Sequence, residues 1–467
     1  MEPEIQPPLP EAPPAEAATD AALTPEPLAP APNAPKFRRL RWIFSGSQGL
    51  RAGWLALVNL LLILLAEAIL IPTAAAIHPF KIGDTAPLAV LLQVLTLYLA
   101  VLGVGCLNSL VRKRGLRWVF LGSHGLRAGW SVLTFAALAF LFIVLLGTIA
   151  STIGKALHAP QNQGITVLAM IIGESIAVLA IVGAAALVAR LERRRSILAF
   201  NLTGPRRLLH FFSGLAAGFA ALSALVGTMA WGGWLHFGPP ALSGPQIFSF
   251  AALWGIAFLL VGCFEEGTFR GYLQFTLTRG INFWWALALV GSMCLGGLLA
   301  TKGQGIWGVY IIALLGLVPC LLLHLKKAEG AGFWQAAWVT STLFGFIHTG
   351  NNGENWIGIF AAAAIGFVFC VSIRVTGSAR WAIGCHAAWD WAETYFYGTA
   401  DSGMVAKGHY LTTSPAGNAL WSGGADGPEG SVLVLGIILL LLVALIAIHG
   451  RRKPAALVAP AAEEAVG

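Results

Sequence analysis

From Trp54 to Ile77 the chain reads WLALVNLLLILLAEAILIPTAAAI, and Glu67 is the one charge in it. As a helix this stretch would outspan a hydrocarbon core of about 30 Å, and nothing water-soluble would cover it. Comparable apolar stretches follow near 86–107, 130–152, 164–189, 210–234, 247–278, 283–300, 305–325, 333–348, 357–373, 381–398 and 431–449. A chain of this kind can satisfy its backbone in lipid only as helices. The pattern predicts an all-α polytopic membrane protein, a helical bundle of about twelve transmembrane helices. Composition agrees. The 467 residues are 57% hydrophobic and 11% charged, and the mean hydropathy is +0.76, too little charge for a water-facing surface.

The formal charge of +8 does not point to nucleic acid, because its distribution follows topology. With the N-terminus inside, the inner connections hold Arg38/Arg39/Arg41, Arg112/Lys113/Arg114, Arg190/Arg193/Arg194/Arg195, Arg206/Arg207, Arg279, Lys326/Lys327, Arg374/Arg380 and Arg451/Arg452/Lys453. The outer ones hold only Lys81, Lys155, Lys302 and Lys407. That asymmetry predicts both termini in the cytoplasm. The six cysteines form no CxxC pair and lie in apolar stretches, where they act as small hydrophobes.

Residues 1–36 form a Pro/Ala-rich tail that cannot bury a core and is expected to be disordered. LRWIFSGSQGLRAGW (Leu40–Trp54) returns 76 residues later as LRWVFLGSHGLRAGW (Leu116–Trp130), with twelve of fifteen positions identical. Arg, Trp and Gly before a span suit an interfacial turn. Residues 37–115 therefore read as a duplicated N-terminal helical hairpin. Further N-terminal membrane helices occupy 116–246, an extracytoplasmic loop 399–430, and the last membrane helix with a cytoplasmic tail 431–467.

Ionised side chains are costly at membrane depth, so each needs a reason. In FEEGTFR, Glu266 and Arg270 are four apart and share a helix face, where they can pair. Glu265 is turned about 100° away and stays free of that pair. A structural ion pair explains Glu266 with Arg270 but not the additional Glu265. FGFIH places Phe344 and His348 on one face at the end of its stretch. HAAWD places His386 and Asp390 one turn apart, where a carboxylate can orient an imidazole. Glu, His, His and Asp on three helices can converge in a bundle.

At these three stretches the sequence resembles the CPBP family of intramembrane proteases. That family includes the type II CAAX prenyl endopeptidases and the lysostaphin-resistance-protein-A-like proteins. The motifs EExxxR, FxxxH and HxxxN/D are matched in order by Glu265, Glu266 and Arg270, by Phe344 and His348, and by His386 and Asp390. GNNGEN after His348 and GPEG before the last stretch also resemble bacterial members. The resemblance implies a catalytic core over 247–398, with an inserted helix pair, 283–325, that shorter members lack. It also implies an endopeptidase acting on a peptide or membrane-protein substrate in the lipid bilayer, in the bacterial cytoplasmic membrane. Glu265 would be the general base, with His348 helping to hold the water. His386 and Asp390 would serve the oxyanion, and Glu266 and Arg270 would balance charge in the site. Asp390 stands where the prenyl endopeptidases carry Asn. An ionised Asp cannot donate to an oxyanion, so it is either protonated or acts through His386.

No cofactor is required by this scheme. A zinc-dependent version, with Glu265, His348 and His386 as ligands, is chemically allowed although HExxH is missing. Two readings from other classes are a proton-linked transporter, prompted by Glu67 and Glu174 in apolar stretches, and a non-catalytic membrane adaptor or immunity protein. The repeat counterpart of Glu67 is Val144, so the duplication does not supply two equivalent acidic sites.

Overall fold

The computed structural model describes residues 45–46, 49–50, 52–79, 86–113, 115, 117–122, 125–156, 166–192, 194, 196–300, 310, 313–314, 316–351 and 353–450. The tail 1–36, the first part of the 305–325 stretch and the C-terminal residues 451–467 lie outside them. The described residues are mostly helical, with three short two-stranded pairs and no closed sheet.

The chain divides into two units at Val58. In the first, β1 (Ser45–Gly46) pairs antiparallel with β2 (Gly49–Leu50). Helix α1 (Ala52–Ile77) starts two residues later. In the second unit come α2 (Pro87–Val111), β3 (Leu121–Gly122), β4 (Gly125–Leu126), α3 (Ala128–Ala156), α4 (Val167–Leu191), α5 (Arg207–Trp231) and β5 (Leu235–Phe237). They lead to α6 (Pro245–Thr278), α7 (Phe283–Ala300), α8 (Leu317–Leu325), α9 (Ala331–Ile347), α10 (Trp356–Thr376), α11 (Arg380–Asp390), β6 (Thr413–Pro415) and α12 (Leu433–His449).

Among the described residues, α1 to α6 and α10 are the seven helices long and apolar enough to cross a membrane. The shorter apolar helices Phe283–Cys294 and Leu433–His449 add to them. Burial along α12 shows how such a helix sits. Val434, Ile438, Leu441 and Leu445 are buried, whereas Leu439, Leu440 and Val443 are exposed. An apolar side chain on the outside of an apolar helix belongs against lipid.

The sequence repeat is also a structural repeat. The strands β3 and β4 and the start of α3 stand 76 positions after β1, β2 and the start of α1. In the second copy the shared residues clamp the turn onto itself. Arg127 donates from Nε to the Trp118 carbonyl at 2.9 Å, and its guanidinium lies 4.8 Å over the Trp118 ring. Trp130 donates to the Val119 carbonyl at 3.0 Å, and Gly125 takes φ +88°, a left-handed value that a side chain would oppose.

Glycine sets the position of the helix that matters most for the site. Gly214 and Gly218, one turn apart on α5, face α11 so closely that a Cβ on either would overlap the carbonyls of Trp381 and Cys385. Gly384 of α11 faces the Phe211 carbonyl in the same way, and Gly262 of α6 faces Ile383. Small residues let membrane helices approach to backbone contact. Held between α5 and α6, α11 has little freedom to move His386.

Candidate active site

Both carboxylate-bearing motifs sit just before a change of helical pitch. α6 is α-helical to Glu266, widens into a π turn over Gly267–Leu273, and resumes over Gln274–Thr278. α11 ends at Asp390 and continues as a π turn over Trp391–Tyr397. A π turn inserts a residue without breaking the helix and re-aims the side chains beyond it, and such turns are frequent at functional sites.

Glu266 and Arg270 pair as the spacing predicts. Nη1 of Arg270 is 3.1 Å from Oε1 of Glu266, and both side chains are 0% exposed. The guanidinium lies 4.3 Å over the ring of Phe344 and 5.4 Å over that of Phe369, and its Nε points at the Gly366 carbonyl at 3.4 Å. Gly366 is required there, because a Cβ would occupy the place of the guanidinium. Glu266 makes a second bond that the spacing could not show. Its Oε1 accepts from Nδ1 of His386 at 2.9 Å, across two helices.

That bond turns the other ring nitrogen of His386 towards a cavity. Nε2 lies 3.7 Å from Oε2 of Glu265 and 3.4 Å from Oδ2 of Asp390. Oε2 of Glu265 has no hydrogen-bond partner among the described residues. His348, just beyond α9, bonds through Nδ1 to the Phe344 carbonyl at 2.8 Å. A carbonyl can only accept, so Nδ1 carries a proton, and in the neutral ring Nε2 is then the acceptor. The cavity, about 360 Å³ in volume, is lined by Glu265, His348, His386 and Asp390 together. The structure therefore brings every one of the six residues singled out in the sequence to one place, four on the cavity wall and Glu266 with Arg270 behind them.

Three further features were not foreseen. Glu174 of α4, which on its own suggested an ion path, lines the same cavity. Asp401 and Glu429 line it too, and Glu393 of the second π turn, which shares the Trp389 indole N–H with Glu429, is fully buried. GPEG and GNNGEN meet there. Asn355 donates from its backbone to Asp426 at 3.1 Å and from its side chain to the Gly430 carbonyl at 3.1 Å. Burial pushes the Asp426 carboxyl up to about 6 and, with the nearby Asp426 charge, the Glu354 carboxyl up to about 7. Burial likewise raises Asp401, and raises Glu429 well above the usual carboxylate range. The Gly-Asn and Gly-Pro-Glu stretches were the one sequence sign of this wall.

No three His, Cys, Asp or Glu side chains among the described residues stand in an arrangement that could hold a metal ion. Nδ1 of His386 is bonded to Glu266, and that of His348 to a carbonyl, which leaves Nε2 as the remaining nitrogen of each ring.

Residues 320–392 match the family model described as Type II CAAX prenyl endopeptidase Rce1-like. The family resemblance holds over this stretch. It runs from α8 to the start of the second π turn and contains His348, His386 and Asp390, while Glu265, Glu266 and Arg270 lie upstream of it. The family is one of membrane-embedded proteases, and the apolar helices make this chain an integral membrane protein. No curated protein and no solved structure matches the chain.

Proposed function

We propose that the protein is an intramembrane endopeptidase in which Glu265 activates a water for attack on a peptide bond. The observation that carries this reading is the cavity. It joins a Glu265 carboxylate oxygen without a hydrogen-bond partner among the described residues, the His348 ring, and the His386–Asp390 pair. Glu265 takes a proton from the water, and His348 accepts the second water hydrogen and fixes its lone pair. For His386 to steady the oxyanion it must donate from Nε2 while Nδ1–H stays on Glu266, so the working ring is an imidazolium. Three carboxylates around it, Glu265, Glu266 and Asp390, balance that charge. With its oxygen 3.4 Å from Nε2, Asp390 acts through His386 in this scheme. Glu266 and Arg270 hold the ring from behind.

A second, apolar cavity of about 570 Å³ lies between α8, α9, α10 and α12 and shares Ile438 with the first. It supports a substrate with an apolar part beside the scissile bond. Twelve spans, both termini and the basic connections in the cytoplasm, a core over 247–398 and a place in a bacterial cytoplasmic membrane complete the proposal.

The test uses the purified protein in detergent, a proteome-derived peptide library and mass spectrometry of the products. Glu265→Gln and His348→Ala should each abolish product formation while the protein stays folded. Retained cleavage in either variant contradicts the assignment. A strong chelator in a parallel incubation should leave cleavage intact, and loss restored by zinc would replace this scheme with a metal-dependent one.

A further inference from the structure

The turn between α2 and α3 carries a charge that the peptidase reading does not use. Between Asp84 and Glu174 the chain has no acidic residue, and five of the six Lys and Arg there fall within 112–127. Four of the five belong to the described residues. Arg112 caps the end of α2 and Lys113 follows it, Arg117 precedes β3, and Arg127 leads into α3. Lys113, Arg117 and Arg127 are exposed, and Arg112 is half-buried. The guanidiniums of Arg112 and Arg127 lie over one indole, that of Trp118, at 5.7 and 4.8 Å. Among the described residues no carboxylate pairs with any of the four. The C-terminal end of α2 sets only roughly half a negative charge against them. Cations gathered at one ring repel each other, and an anion bound among them removes that cost.

The surroundings say which anion. α2 ends here and α3 begins, and both are long and apolar enough to cross a membrane, so the turn between them lies at one face of the bilayer. Leu110, Val111, Phe120 and Leu121 are exposed and flank the cations in the chain. Apolar side chains next to guanidiniums at helix ends match the boundary between acyl chains and headgroups. We propose that Arg112, Lys113, Arg117 and Arg127, arranged about Trp118, bind the phosphate headgroup of an anionic phospholipid. A guanidinium meets a phosphate through two parallel hydrogen bonds, and juxtamembrane cations favour anionic over neutral lipid. The repeat is an independent sign that the turn has a task of its own. Orientation in the membrane needs only positive charge. Yet positions 40–54 and 116–130 share twelve of fifteen residues, whereas the next 23 positions of the two copies share six. The strands pair in the same register in both, Ser45 with Leu50 and Leu121 with Leu126. What the copies keep is the turn, with its Arg, Trp and Gly, and not the span. The inference does not depend on the peptidase reading.

The experiment titrates the purified full-length protein in detergent with phosphatidylglycerol or with phosphatidylcholine of the same acyl chains. Native mass spectrometry counts the lipids bound. Phosphatidylglycerol should bind about tenfold more tightly than phosphatidylcholine. Arg112→Gln with Arg117→Gln should remove one tightly held phosphatidylglycerol per protein and leave the melting temperature nearly unchanged. Arg127 stays in place in that variant, because its Nε–H holds the Trp118 carbonyl. If the double variant does not fold, Arg117→Gln alone, at an exposed side chain, should weaken one phosphatidylglycerol by about threefold. Equal binding of the two lipids to the unmodified protein overturns the proposal, and so does an unchanged count and affinity in a folded variant. Inorganic phosphate at the lipid's own concentration should not displace phosphatidylglycerol. Displacement would reveal a site for a free anion and overturn the assignment to lipid.

Discussion

The two ends of α6 treat buried carboxylates in opposite ways. Beyond its C-terminal end Glu192, at the close of α4, receives Arg279 at 2.9 Å, Arg194 at 2.6 Å and the Ser131 hydroxyl. Burial alone would raise its carboxyl, but the bonds from Arg279, Ser131 and Arg194 outweigh burial and hold it below the usual range. Near the N-terminal end, where Tyr395 donates to the Ile247 carbonyl, Asp401, Asp426 and Glu429 have no such partners and are all raised. Between the ends lie Glu266, matched by Arg270, and Glu265, which is not. Carboxylates paired with an arginine hold helices together, whereas Glu265, Asp401 and Glu429, which have none, line the cavity. What separates the two groups in this protein is the presence of an arginine, not the presence of an acid.

Substitutions can break that division in a definite order. The largest effect should come from Glu265→Gln, which removes the proposed base and leaves the packing alone. Cleavage should fall by about 10²–10⁴-fold or more with the melting temperature in detergent nearly unchanged. A large fall in melting temperature would instead class Glu265 with the scaffold. Arg270→Met should do the reverse. It strands Glu266 at 0% exposure and should cost about 3–5 kcal/mol of stability, measured by denaturant titration in detergent. A loss under about 1 kcal/mol would show that the pair is not structural.

Arg279→Met should cost less, about 1–3 kcal/mol, because Arg194 and Ser131 remain on Glu192. Its pH signature is specific. A carboxyl held low in the folded state contributes stability above its ordinary pKa and loses it as pH falls through the lowered value. The variant should therefore lose less on acidification than the unmodified protein does. Asp426→Asn should have the smallest effect and the opposite sign. A carboxyl raised to about 6 contributes stability below the ordinary carboxylate range, and loses it as pH rises through about 6. Melting temperature should thus drop from pH 5 to pH 8 in the unmodified protein, and the drop should shrink in the variant. An equal drop in both would show that Asp426 does not titrate as its surroundings require.

Spacing within one helix made part of this site readable in the sequence. A separation of four positions from Glu266 to Arg270, and from His386 to Asp390, is enough to put each pair on one face. The turn of about 100° between neighbours is enough to free Glu265. The helices themselves arise from apolar run length, and α1 to α7, α9, α10, α12, and α11 together with its π turn begin and end within a few residues of the expected stretches. Contacts between helices were not legible. The bond from His386 to Glu266 joins residues 120 apart, and Glu174 reaches the cavity from α4. The acidic wall is assembled from the second π turn and the segment 399–430, a stretch that composition marks only as a connection. Periodicity carries no information on such pairings. The glycines of α5 carried some, since Gly214 and Gly218 have the one-turn spacing of a close crossing, but their partner on α11 needed the structure.

The central claim is that Glu265 performs the chemistry of peptide cleavage inside the membrane. Its most direct test is a quantitative comparison of new peptide termini in membranes from cells producing the unmodified protein and from cells producing Glu265→Gln at the same level. A set of termini in membrane proteins should be present with the former and absent with the latter. Identical sets of termini, with both proteins inserted and folded, would contradict it.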